Sequence, residues 1–233
     1  MISIGTCALG ARPRVAVAIH DGEAHTDVNQ ALAAGADMIE LRIDQFADKT
    51  TAHVLAEVKQ FSGVPRIGTI RSAVEGGGWS GTEEERLGLY ESILPEVEAV
   101  DIELGAEKIN HQVISLAAKQ GVTVIASFHD FEKTPTSSFC ASLIRQGMDL
   151  GADIVKIAAH CESREDFHRL TAVLLEHPDR NLVVIGMGAR GIQSRFLFPA
   201  LGSLITYTFL GVPTAPGQVS LEETLRLIRV LYP

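Results

Sequence analysis

A chain of 233 residues that is 46% hydrophobic and 21% charged is long enough to bury a full core and too apolar to remain disordered. A formal net charge of −9 excludes a nucleic-acid or anionic-membrane surface, because phosphate binding needs clustered Lys and Arg. The partner expected is a small molecule. The start, Met1 to Cys7, has neither a basic opening nor a long apolar stretch, and no window is long enough to span a bilayer, so a cytoplasmic location is expected. Three scattered cysteines, Cys7, Cys140 and Cys161, without a CxxC, fit a reducing compartment and give no disulfide framework.

Runs rich in Val and Ile, bounded by Gly, Asp or Pro, predict strands at residues 14–19, 38–43, 66–71, 99–104, 123–128, 153–158, 181–185 and 204–210. Between them, apolar residues at three- and four-residue spacing predict helices at 51–61, 82–94, 107–120, 137–150 and 163–176. A last helix opens at Ser220-Leu221-Glu222-Glu223, a capping box by type and spacing. Residues 1–12 precede the first unit. Ala34-Gly35-Ala36-Asp37 and Leu150-Gly151-Ala152-Asp153 each lead into a strand, a weak repeat in which glycine ends a helix in the left-handed conformation. Eight strand–helix units without a Pro- or Ser-rich linker predict one domain over residues 1–233, a (β/α)8 TIM barrel.

The alternative is an open dinucleotide-binding sheet, suggested by Gly186-Met187-Gly188-Ala189-Arg190-Gly191. That motif sits in the seventh unit, and the next strand leads into Gly211-Val212-Pro213 with no acidic residue to hold a ribose. No cofactor is expected from it. In a barrel the same glycines belong to the loops that commonly bind an anionic group near a helix N-terminus.

A barrel concentrates functional residues at the carboxyl ends of its strands. Glu40, Arg42 and Asp44 alternate along the second strand; Arg71 ends the third and is followed by Glu75 and Gly76-Gly77-Gly78. Asp101 and Glu103 share a face of the fourth, His129-Asp130 ends the fifth, and Lys156 stands in the apolar sixth; Arg195 follows the seventh, and Thr214 and Gln218 follow the eighth. A lysine between Ile and Val residues should have a lowered pKa, which suits attack on a carbonyl to give a Schiff base. The plainer reading is a lysine paired with a carboxylate on an adjacent strand. His129 lies one strand away, about 4.8 Å, so both side chains can reach one substrate.

The segments Ile39 to Asp44, Arg71 to Gly77, Ser127 to Phe131, Ile154 to Ala158, Gly188 to Arg195 and Ala215 to Gln218, in this order and spacing, resemble type I 3-dehydroquinate dehydratase. The likeness runs from about Pro13 to the end of the chain. It implies a barrel closed at its bottom by the N-terminal segment. It also implies dehydration of 3-dehydroquinate to 3-dehydroshikimate in the shikimate pathway without metal or organic cofactor, and a homodimer. Carried over position by position, it implies a catalytic set of Lys156 as Schiff-base lysine, His129 as general acid/base and Glu75 as the carboxylate that orients it. Arg195 would clamp the substrate carboxylate, Glu40, Arg42 and Arg71 would surround its hydroxyls, and Gln218 would belong to the closing loop with Thr214, where many members carry Ser.

Three competing readings stay open on the sequence alone. A Schiff-base aldolase on this fold would place a phosphate near residues 186–191. A metal-dependent hydrolase could draw on His129, Asp130, His160, Glu162, Asp101 and Glu103, but the chain has no HxH or HExxH. A non-catalytic binding protein would hold the acid without turning it over.

Overall fold

The computed structural model describes residues 2–22, 25–211, 213 and 215–233. Eight parallel strands run β1 (Arg14–Ile19), β2 (Met38–Arg42), β3 (Arg66–Thr69), β4 (Ala99–Glu103), β5 (Thr123–Asp130), β6 (Ile154–His160), β7 (Leu182–Met187) and β8 (Ile205–Phe209). They lie side by side in chain order, with β8 returning to pair with β1. The β7–β8 seam closes through a Leu182–Ser203 bridge, with the Leu204 N–H donating to the Leu182 carbonyl at 2.9 Å. Helices α1 (His25–Ala34), α2 (Thr51–Gln60), α3 (Glu83–Ile93), α4 (Asn110–Gln120), α5 (Ser137–Asp149), α6 (Arg164–Glu176) and α7 (Ser194–Leu197) lie in the crossovers, and α8 (Leu221–Leu231) follows the last strand. This is the (β/α)8 barrel the sequence predicts, not the open sheet.

The strands read as nearly continuous apolar runs because both faces are covered, one by helices and the other by the barrel interior. Val17, Ile39, Leu41, Val100 and Ile102 face the helices. Their alternates fill the barrel in layers of four from every second strand. Met38, Ala99, Ile154 and Ile205 form one layer, and Ala16, Ile67, Ile125 and Val183 the next. The N-terminal residues Ile4, Cys7 and Leu9, in and beside a two-stranded hairpin (Ser3–Ile4 with Cys7–Ala8), pack against these lower layers and plug the barrel, as the resemblance implies.

Chain order departs from the sequence reading in a few places. β2 ends at Arg42, and Asp44 falls in a 3-10 turn (Ile43–Gln45), so it does not continue the Glu40–Arg42 alternation. Helices α1 and α7 were not among those named from the sequence, although Val28, Ala31 and Leu32 give α1 an apolar face; α7 is only a turn long. Full capping boxes form at Thr82/Glu85 and Ser163/Asp166, whereas Ser220 accepts from the Glu223 N–H at 3.4 Å as one half of its expected box. Among the described residues no helix is long and apolar enough to cross a membrane.

The GxGxxG segment serves packing. A Cβ on Gly191 would lie 2.3 Å from the Gly186 carbonyl carbon, and Gly188, at φ +76, lies against the His160 ring.

Candidate active site

Above the apolar layers, the even-numbered strands supply Glu40, Asp101, Lys156 and Tyr207. This layer turns the core polar. Lys156 Nζ donates to Asp101 Oδ2 at 3.0 Å and stands 4.3 Å from the centroid of the Tyr207 ring. The carboxylate of the plainer reading is therefore present, but two strands away, because inward side chains of alternate strands share a layer. Asp101 Oδ1 accepts from Arg71 at 2.7 Å and from Ser127 Oγ at 2.6 Å. Burial alone would raise the Asp101 pKa; Arg71 and Lys156 outweigh it and hold the carboxyl well below the usual range.

The loop after β3 brings Glu75 to His129. Ser72 caps a 3-10 turn (Ala73–Glu75), Gly76 reverses the chain at φ +73, and the buried Trp79 returns it by bridging to Ser72. A Cβ on Gly77 would sit 2.1 Å from the Arg71 carbonyl oxygen, so the loop lies flat on the strand end only without one. Gly77→Ala is expected to lower stability by about 2–4 kcal/mol and to displace Glu75; thermal melts that match the parent within a degree would refute the packing argument.

Glu75 Oε2 accepts the His129 backbone N–H at 2.9 Å and lies 3.0 Å from His129 Nδ1. That fixes the ring, turning Nε2 away from Glu75. Burial pushes Glu75 up to about 7 against the pull of Arg71, while burial, Arg71 and Lys156 push the imidazole well below its ordinary value. At neutral pH the histidine is neutral, as a general base must be.

The raised Glu75 pKa has a stability consequence of definite sign. The folded state holds its proton from about pH 4.5 up to about 7, so the associated stability is complete below that window and lost as pH rises through it. Glu75→Gln removes this dependence. The variant's melting temperature relative to wild type should therefore be higher at pH 8 than at pH 5; the reverse order would contradict the burial argument.

The remaining expected residues converge on one cavity of about 540 Å³, lined by Glu40, Arg42, Arg71, Glu75, His129, Lys156, Arg195 and Gln218 together with Thr69, Phe131, Met187, Tyr207 and Ala215. Glu40 accepts from Thr69 Oγ1 at 2.9 Å. Arg42 is gripped through two nitrogens by the fully buried Asp44 at 3.0 and 2.8 Å, and the second Asp44 oxygen also holds the Gly78 N–H. Arg195 donates to the carbonyls of Gly217 and Tyr207 at 2.8 and 3.1 Å, but among the described residues no carboxylate pairs with it, and burial pushes its pKa down to about 10. Gln218 Oε1 accepts from the Ala215 N–H at 3.1 Å. Thr214 lies outside the described residues.

The resemblance gave Asp101 and Tyr207 no role in the site. Inward alternation already marked Asp101; Tyr207 reads as core in an apolar strand. Among the described residues no three His, Cys, Asp or Glu side chains gather as a metal-ligand set.

A closed parallel barrel whose single lysine–histidine–arginine cavity opens at the carboxyl end of the strands defines a TIM-barrel enzyme. The profile of the family described as Type I 3-dehydroquinase matches residues 15–233. The 3-dehydroquinate dehydratase of Methanococcoides burtonii is 35% identical over 99% of this chain and all of its own length. That of Aquifex aeolicus is 34% identical over 94% of this chain and 98% of its own. Among solved structures, the Geobacillus kaustophilus 3-dehydroquinate dehydratase superposes with a TM-score of 0.90 at 26% identity, covering 99% of this chain and 95% of that one. The Clostridium difficile type I enzyme gives 0.88 at 28%, covering 99% and 96%. The chain belongs to the type I 3-dehydroquinase family, hydro-lyases that dehydrate 3-dehydroquinate in the shikimate pathway.

Proposed function

We propose that this reaction runs through an imine on Lys156, with His129 moving the protons, inside one catalytic domain formed by residues 1–233. The observation that carries the reading is the convergence of Lys156 Nζ, the Glu75-held His129 and the unpaired Arg195 on a single cavity. A covalent route also draws support from the Clostridium difficile relative, solved with covalent modified comenic acid.

Arg195 holds the substrate carboxylate, and Glu40, Arg42 and Arg71 hold its hydroxyls, with Thr214 and Gln218 over them. The Lys156 amine condenses with the ketone; ammonium plus ketone gives iminium plus water, so charge is conserved. The iminium forms beside Asp101 and over the Tyr207 ring, both of which favour a cation. His129 Nε2 then takes the proton from the adjacent carbon, and the electron pair enters the enamine. The enamine expels the β-hydroxyl, which leaves as water with the proton returned by His129. Water hydrolyses the product imine and frees the amine. An arginine fork binds carboxylate and phosphate alike, so turnover of a carboxylate substrate and not of a phosphorylated ketone is what separates this reading from a phosphate-handling aldolase.

The test is intact mass after incubation with 3-dehydroquinate and borohydride. A substrate- or product-sized adduct mapped to Lys156 is expected; an adduct on another lysine, or none, would overturn the mechanism. The homodimer implied by the resemblance and the cytoplasmic location expected from the sequence belong to the same proposal. Sedimentation at micromolar concentration should give twice the chain mass.

A further inference from the structure

A second cleft of about 810 Å³ opens on the far side of Glu75, between the loops after β3 and β4. Among the described residues Glu75 alone lines both cavities. Its two oxygens divide the work: Oε2 meets His129, while a Cβ built on Gly105, a cleft residue, would lie 3.4 Å from Oε1. Gly105, lacking a side chain, leaves that approach open. We propose that Glu75 is a two-sided carboxylate through which His129 exchanges protons with solvent in the second cleft while substrate fills the first.

The inference rests on the reading of His129 as acid/base and adds a route to it. When Nε2 takes the substrate proton, the imidazolium passes its Nδ1 proton to Glu75 Oε2, leaving a neutral imidazole protonated at Nε2 and a carboxylic acid. The acid releases its proton to cleft water, and the reverse transfer restores it; only N–H and O–H bonds change. Burial favours the neutral form of both partners, so the extra proton rests on Glu75. Arg71 and Asp101 face Glu75 from the barrel side, and Glu83, Arg86, Glu103, Glu107 and Lys108 from the cleft side. Arg86 is held by Glu83 and Glu103 at 2.8 Å each. The route is thus lined by hydrophilic groups that can hold a chain of water.

Glu75 is a positioning residue, so its test needs more than lost activity. Glu75→Ala should cut turnover at saturating substrate on the order of 100-fold, while borohydride still traps substrate on Lys156. Sodium formate should then restore turnover roughly tenfold, saturably and without competing with substrate, because it enters from the second cleft; sodium chloride at equal ionic strength should not. Gly105→Leu in the Glu75→Ala background should remove the rescue by filling the entry. Failure of formate to rescue a folded Glu75→Ala or Glu75→Gly protein, rescue that competes with substrate, or rescue that survives Gly105→Leu would overturn the route. Undiminished turnover in Glu75→Ala would instead remove the underlying reading of the His129–Glu75 pair.

Discussion

Lys156→Ala is expected to abolish the borohydride-stable adduct and to reduce kcat/KM by four or more orders of magnitude, a barrier increase of at least about 5 kcal/mol. The size follows from the chemistry: without the iminium, the carbon acid must ionise against an unactivated ketone, and no other lysine lines the cavity. The loss should be chemical and not a failure to fold. Asp101 keeps Arg71 and Ser127 when Lys156 goes, at 2.7 and 2.6 Å, so no buried carboxylate is stranded. His129→Ala separates the two roles. It should still permit some trapping on Lys156 while turnover collapses, because the imine can form more readily than the C–H bond can break. Near-normal turnover in Lys156→Ala, with circular dichroism showing the native fold, would end the imine mechanism whatever the His129 variant did.

How far the site can be read from sequence depends on whether position is set by local or distant structure. Glu40, Arg42 and Lys156 were legible because a strand's two-residue alternation points them inward once neighbouring apolar residues are assigned to the helices. His129 was legible at a strand end, and Arg71, expected at the end of the third strand, lies two residues beyond β3 on the same rim. Asp44 was not, since the strand gives way to a 3-10 turn that swings its carboxylate back onto Arg42 and out to the Gly78 amide. Nor was the Lys156–Asp101 pair: its partners are 55 residues apart on strands that are not neighbours, and only barrel closure puts alternate strands in one layer. Tyr207 combines a ring under Lys156 with a buried hydroxyl that has no hydrogen-bond partner among the described residues, and neither property has a sequence signature. Helix α7 escaped because four residues cannot display a helical period. The general lesson is that alternation fixes which side chains enter a barrel, while closure decides whom they meet.

Arg195→Met should separate substrate affinity from stability: affinity falls while stability holds. In the free protein Arg195 is 4% exposed, its guanidinium is held, among the described residues, by the Gly217 and Tyr207 carbonyls alone, and burial pushes its pKa down to about 10. A cation kept in such a place opposes folding, since the unfolded chain solvates it fully. On the proposed reading substrate binding supplies the missing carboxylate, and a charge-assisted bidentate pair formed in a buried cavity is among the stronger contacts available. Losing it should cost about 3–4 kcal/mol, read as a roughly 150- to 900-fold fall in kcat/KM that appears mainly in KM. Removing the cation leaves two carbonyls without their donor, which offsets much of the gain, so the substrate-free variant should melt no lower than wild type. The upward melting shift that a substrate-like acid such as quinate gives wild type should vanish. A variant that loses stability while keeping its KM would show that Arg195 is a structural brace between the β7 and β8 loops; unchanged stability with a large KM effect assigns it to the substrate carboxylate.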